Sequence, residues 1–129
     1  MHEASCSCGQ LRLTADAEPI RVTICHCLAC QQRTGSAFSL NARFDASVVR
    51  TTGRLQEYVR ISDDGDERRF SFCPDCGVTV FYGYPGDTDM VAVPVGCFAD
   101  PSFLPPARSI YEDRMHPWLT LPDGIERHP

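Results

Sequence analysis

The sequence predicts a mainly β protein built of small antiparallel sheets. Three observations predict it: apolar residues recur at every second position through most of the chain, glycine and proline interrupt those runs at short intervals, and seven of eight cysteines in 129 residues fall into tight groups. Apolar residues at period two mark strands, because successive side chains of an extended chain point to opposite faces. Short strands broken by turn residues make hairpins rather than crossover units. A chain of 129 residues does not need covalent cross-links merely to fold, so closely spaced cysteines point to another use.

The elements follow in order. Leu11, Leu13 and Ala15 alternate first, then Ile20, Val22 and Ile24, then Phe38, Leu40, Ala42 and Phe44. Phe70 and Phe72, and Val91, Val93 and Val95, continue the pattern. Pro94 interrupts the last run and cannot donate a ladder hydrogen bond, which predicts an edge or a bulge there. Turns are predicted at Gly53, at Gly65, at Gly83 to Gly86 through Tyr84 and Pro85, and in SFLPPAR. Two short helical turns are expected: Leu28 to Thr34 closed by Gly35, and DASVV opened by Asp45 as its N-cap. Neither is long enough to build a helical layer. The proline-rich segment from Pro101 to Pro106 leads to a terminal strand and tail. With no internal repeat and no linker, the expectation is one domain over residues 1–129, with two or three packed sheets.

Composition narrows the partners. Net charge is -5 with a pI near 5.2, and all twelve basic residues are arginines scattered along the chain. A polyanion is repelled by that balance and finds no basic stripe to track, so neither nucleic acid nor an anionic membrane surface is an expected partner. The opening MHEASCSCGQLRL has no basic stretch followed by an apolar run, and no segment approaches the roughly 20 apolar residues of a spanning helix. The expectation is a cytoplasmic protein.

The cysteines stand as Cys6 and Cys8 in CSCG, Cys25, Cys27 and Cys30 in CHCLAC, Cys73 and Cys76 in CPDCG, and Cys97 alone. A disulfide framework needs an oxidising compartment and an export signal, so metal binding is the stronger reading. A CxxC turn followed by glycine is a zinc knuckle, with both sulfurs facing one concavity and glycine tolerating the backbone beyond the second ligand. In an extended CxC segment both sulfurs fall on one face of the strand. Cys6 and Cys8 can therefore complete a tetrahedral four-thiolate site with Cys73 and Cys76. Cys25 and Cys27 share a face, His26 points away from it, and Cys30 returns from the following turn, giving three ligands. Four filled positions mark a structural zinc and three a catalytic one. Spacing alone also allows the pairs to be assigned in reverse, or Cys97 to close the second site.

CSCG, CHCLACQQRTGSAF, FCPDCGVTVFY and the closing HPWLTLPDGI, in this order over nearly the whole chain, resemble the glutathione-dependent formaldehyde-activating enzymes, a family that includes the centromere protein V domain. The resemblance implies an Mss4-like β-tent fold with two zinc ions per chain. It assigns Cys6, Cys8, Cys73 and Cys76 to a structural ion and Cys25, Cys27 and Cys30 to a catalytic one. It further implies a carbon-sulfur lyase joining a small thiol such as glutathione to an aldehyde such as formaldehyde. Cys97 departs from the small hydroxyl or apolar residue expected at its position. The chain has no basic extension of the kind a chromosome or microtubule partner requires, so the centromere role is not implied.

The chemistry is coherent, since a zinc-coordinated thiol is held as thiolate and can attack an aldehyde carbon. No Ser/His/Asp set or carboxylate pair stands out as general acid or base. Arg33, just beyond Cys30, is a candidate for a substrate carboxylate or for an exposed structural role. His116 and Trp118 either wall a pocket or anchor a terminal strand through a buried tryptophan, while His2 and His128 are expected to face solvent. Two alternative functions stand beside the lyase: a non-catalytic zinc module that docks another protein, and zinc storage or redox sensing.

Overall fold

The alternating segments become strands in two sheets. The computed structural model describes residues 1–62, 64–84 and 86–129. In chain order the strands are β1 (His2–Ser5), β2 (Arg12–Ala15), β3 (Arg21–Cys25), β4 (Ser39–Asp45), β5 (Val49–Thr52), β6 (Gln56–Ile61), β7 (Glu67–Phe72), β8 (Thr79–Tyr84), β9 (Asp87–Pro94), β10 (Arg108–Ile110) and β11 (Glu126–Arg127). One helix, α1, spans Leu28–Thr34. The architecture is mainly β, as an Mss4-like fold requires.

Strands β1, β2 and β5 form a three-stranded antiparallel sheet. The other eight form a second sheet in the order β11-β10-β3-β4-β9-β8-β7-β6. It is antiparallel except at one end, where β10 lies parallel to both β3 and β11. The terminal segment expected after the prolines is thus added beside β3, the strand that ends in Cys25.

The two faces of the large sheet differ in chemistry. Val22, Ala42, Phe44, Val80 and Val93 are buried against Leu13 and Ala15 of the small sheet and Leu11 just before it, forming the main apolar core. Their neighbours in sequence turn the other way: Thr23 and Cys25 on β3 stand directly opposite Asn41 and Ser39 on β4. Phe70 and Tyr82, paired across β7 and β8, share that second face with Ala92. A strand covered on both sides loses the simple apolar-polar alternation, which is why Thr23 and Ser39 are as buried as Val22.

The local signals for α1 and the Asp45 cap hold in detail. Gly35 adopts the left-handed conformation at φ 69° and returns its N–H to Gln31 O, closing the helix. Asp45 accepts from Ser47 N at 3.0 Å to open a 3-10 turn over Ala46–Val48. Three expectations are corrected. Pro94 is at neither an edge nor a bulge: it is the last residue of the interior strand β9, where the ladder stops and a 3-10 turn begins. Gly83 lies within β8 rather than in a turn, and Pro85 falls outside the described residues. CSCG is no strand: β1 stops at Ser5, and Gly9 N donates to Cys6 O at 3.1 Å, so the segment is itself a turn.

Gly53 joins the two halves of the fold. At φ 107° its backbone lies against Gln10, where an added Cβ would stand 2.2 Å from Gln10 O. Gln10 answers with its side chain, donating to Arg54 O at 2.8 Å and accepting from Arg54 N at 2.9 Å. Gly53→Ala is expected to lower unfolding free energy by about 2 kcal/mol or more in urea denaturation. Gly65→Ala, at φ 88° with open space around it, carries only the conformational cost, about 1 kcal/mol. Equal losses in the two variants would contradict the close approach at Gly53.

Candidate functional site

Two groups of sulfurs form. Cys6, Cys8, Cys73 and Cys76 bring their Sγ atoms within 4.8 Å of one another. Cys6 to Cys8 is 3.6 Å and Cys8 to Cys73 is 3.7 Å. A tetrahedron of sulfurs about 2.3 Å from zinc has edges of about 3.8 Å, so these four fit the ion. Local turns aim them. Gly77, at φ 81°, donates to Cys73 O at 2.8 Å, and Asp75 N points at Cys73 Sγ at 3.4 Å. On the other side Leu11 N points at Cys6 Sγ at 3.3 Å, and Gln10 Nε2 reaches Cys73 Sγ at 3.0 Å. Against the penalty of burial, the Gln10 amide and the backbone N–H groups of Cys76 and Asp75 bring the Cys73 thiol down to about 6. Donors that stabilise a thiolate suit a metal ligand.

Cys25, Cys27 and Cys30 form the second group, all buried and all within 4.8 Å. Cys25 ends β3, Cys27 caps α1 and accepts from Cys30 N at 3.4 Å, and the first helical turn brings Cys30 back. His26, 0% exposed, faces away and pairs through Nε2 with Ser109 Oγ at 2.9 Å. It supplies no fourth ligand, as the alternation of side chains predicts. Hydrogen bonds from Cys25 and Cys27, the Ser39 hydroxyl and the Arg33 charge draw the Cys30 thiol down against the penalty of burial. Its neighbours Cys27 and Cys30, together with burial, push Cys25 up. Sulfur donors alone, in this number and arrangement, fit a soft divalent ion such as zinc with one tetrahedral corner not filled by the described residues.

This second group floors a cavity of about 450 Å³. Four arginines line it: Arg43, Arg60, Arg68 and Arg108. Arg60 and Arg68 stand directly opposite each other across β6 and β7, and Arg43 stands opposite Arg21 across β3 and β4. Like charges in register repel, and Arg108 and Arg43 add to burial in drawing the Arg21 pKa down. Aromatic rings between the cations offset part of that cost. Arg43 and Arg68 lie over Tyr84 at 5.1 and 4.3 Å, and Arg33 and Arg60 lie over Phe70 at 4.9 and 5.2 Å. Two carboxylates contribute, Asp64 to Arg68 at 3.1 Å and Glu126 to Arg108 at 3.4 Å. The cavity is a cationic well in a protein of net charge -5.

Several single-residue expectations change. Arg33 is neither exposed nor in the cavity: its guanidinium sits against Phe70 and Tyr82, with Nε and Nη2 buried. Trp118 is 68% exposed with its ring against His116, and it is His116 that anchors the segment, pairing through Nε2 with Gln31 Oε1 at 2.8 Å. His2 packs among Phe44, Phe98 and Phe103, and His128 lines the cavity. Cys97 belongs to neither sulfur group; it donates to Thr79 O at 3.4 Å, and burial pushes its thiol up to about 11. The arginine wall, Thr23 and Asn41 were not foreseen. The signal was present in RVTIC and SLNAR, where the residues sharing Cys25's face are polar or charged rather than apolar.

The comparisons agree with the geometry. The model of the glutathione-dependent formaldehyde-activating enzyme family matches residues 1–114. A crystal structure of a Rhodobacter sphaeroides protein is similar with a TM-score of 0.58 at 19% identity, covering 80% of this chain and 91% of that one, which shows a shared fold. No curated protein matches the chain. With three cysteine groups in the family's order and a family match over most of its length, the chain belongs to the glutathione-dependent formaldehyde-activating enzyme family.

Proposed function

We propose that this protein is a zinc-dependent carbon-sulfur lyase that reversibly joins a glutathione-like thiol to an aldehyde such as formaldehyde. In this reading Cys25, Cys27 and Cys30 hold the zinc of the reaction site, and Cys6, Cys8, Cys73 and Cys76 hold a second, structural zinc. The observation that carries it is the cavity, which has three sulfurs at its floor and four guanidiniums in its walls. Zinc held by these three cysteines would keep a small thiol deprotonated at neutral pH.

The residues of the chain then bind and orient. Glutathione carries its thiol between two carboxylates, and charge-assisted hydrogen bonds from Arg43, Arg60, Arg68 and Arg108 suit those carboxylates. Cys25 and the Arg21–Arg43 pair lie four residues apart along β3, about 13 Å, a span that one tripeptide arm and an arginine side chain bridge together. The stacking of Tyr84 and Phe70 keeps the guanidiniums in place before a ligand arrives, which lowers the ordering cost of binding. The reacting sulfur forms the bond to the aldehyde carbon, and the carbonyl oxygen takes up the proton that the thiol released. The reverse reaction breaks the same bond.

A docking-module reading has one feature in its favour. The edge strand β6 exposes Tyr58 and Ile61, each 62% accessible, and an apolar edge is a template for another chain.

Cobalt(II) in place of zinc gives visible bands that depend on the number of sulfurs around the metal. Glutathione is expected to shift those bands toward a four-sulfur spectrum, and Cys30→Ser to abolish the shift while the four-cysteine site keeps its own. Indifference to glutathione and to other small thiols would overturn the lyase reading and leave the docking module in its place.

Mutation separates the two sulfur groups. Cys73→Ser is expected to unfold or severely destabilise the chain, since a structural zinc can supply much of a small domain's folding free energy, whereas Cys27→Ser folds and loses activity. Equal loss of stability in thermal melts would contradict the two labels.

Arg43→Gln is expected to weaken glutathione binding about tenfold. Binding of neutral 2-mercaptoethanol should stay unchanged. If calorimetry gave both thiols the same loss, Arg43 would not be reading carboxylates.

A further inference from the structure

Thr23 and Asn41 stand directly opposite each other on β3 and β4, 4% and 3% exposed, and both line the cavity with the three cysteines. Thr23 Oγ1 and Asn41 Oδ1 are buried without a hydrogen-bond partner among the described residues. A polar atom removed from water and left unpaired is costly, so a pair of them side by side in a cavity wall marks the place of a ligand's polar group.

The neighbouring residues fix which groups are on offer. Asn41 Nδ2 donates to Ser39 Oγ at 3.1 Å. That commits the nitrogen of the Asn41 amide to Ser39 and leaves its carbonyl oxygen, on a residue that lines the cavity, as the atom still to be paired. Ser39 is thus a positioning residue for Asn41. The Thr23–Asn41 pair lies one pleat repeat, about 7 Å, from the Cys25–Ser39 pair, which suits atoms attached just beyond a sulfur held at the three cysteines.

We propose that Thr23 and Asn41 form a clamp for the aldehyde-derived oxygen of the substrate, an assignment that rests on the lyase reading above. As sulfur's electron pair makes the carbon-sulfur bond, the carbonyl π pair moves to oxygen, where the Thr23 hydroxyl donates a hydrogen bond to the growing negative charge. The oxygen takes up the proton that the thiol released, relayed by water, and the new O–H donates to Asn41 Oδ1. Neither side chain is consumed, and reversal passes through the same contacts.

Two stable thioethers test this on the zinc-loaded protein by calorimetry: S-(2-hydroxyethyl)glutathione and the similarly sized S-propylglutathione. Wild type is expected to bind the hydroxyl-bearing ligand on the order of tenfold more tightly. Thr23→Val and Asn41→Leu should erase that preference, and Thr23→Ser should keep it. In turnover, the same two variants should lose about 100-fold in kcat with KM for glutathione little changed. Equal affinity of wild type for the two thioethers overturns the clamp whatever the variants do, as does retention of the preference in both folded variants. A wild type that binds neither thioether and turns over no thiol overturns the lyase reading itself, and the clamp with it.

Discussion

The alternation of side chains across the eight-stranded sheet is the constraint on which the rest of the molecule depends. Strands β3 and β4 each serve two surfaces at once, one apolar against the three-stranded sheet and one chemical around the cavity. In β3, Val22 and Ile24 are interleaved with Arg21, Thr23 and Cys25; in β4, Leu40, Ala42 and Phe44 are interleaved with Ser39, Asn41 and Arg43. The core therefore sets the register, and the register sets the site. A slip of one residue would send Cys25 into the core and Val22 into the cavity, so the apolar packing protects the chemistry as much as it stabilises the fold.

The sulfur groups anchor that sheet at two distant points. Cys6 and Cys8 follow the first strand, while Cys73 and Cys76 follow β7, so one cluster ties the start of the chain to the β7–β8 end of the large sheet. Gln10 binds both sides of the junction, reaching Arg54 and Cys73, and Asp75 forms an ion pair with Arg54. The second group sits where β3, α1 and β10 meet. Gln31 of α1 secures that corner by donating to His26 O and Arg114 O while it pairs with His116.

What was legible in the sequence was what short range decides. Helix α1 was readable from Leu28 to Thr34 because its closing glycine, Gly35, is a neighbour in sequence, and the knuckle at Cys73 to Gly77 was readable for the same reason. The facing of Cys25 and Cys27 against His26 followed from period two alone. Spacing could not decide which pairs join, although the match of four sulfurs to a tetrahedron is clear once Cys6 lies beside Cys8 and Cys8 beside Cys73. The arginine wall was hidden because it is assembled from β4, β6, β7 and β10, whose order in the sheet no local pattern reveals. Trp118 and Pro94 misled for a related reason. A tryptophan suggests burial and a proline suggests an edge, yet His116 took the anchoring contact and β9 ended where the proline stood.

The exposure of Trp118 also decides what light can report about this molecule. It is the one tryptophan in the chain, and it lies against His116 in a T-shaped contact outside the cavity. Its native emission is expected to be close to that of an indole in water, with little change of colour on unfolding of the sheet or on binding at the cysteines. Tyr82, Tyr84 and Tyr111 line the cavity instead, and the spectroscopic signature of occupancy belongs to these phenols, in the ultraviolet band that tryptophan usually obscures.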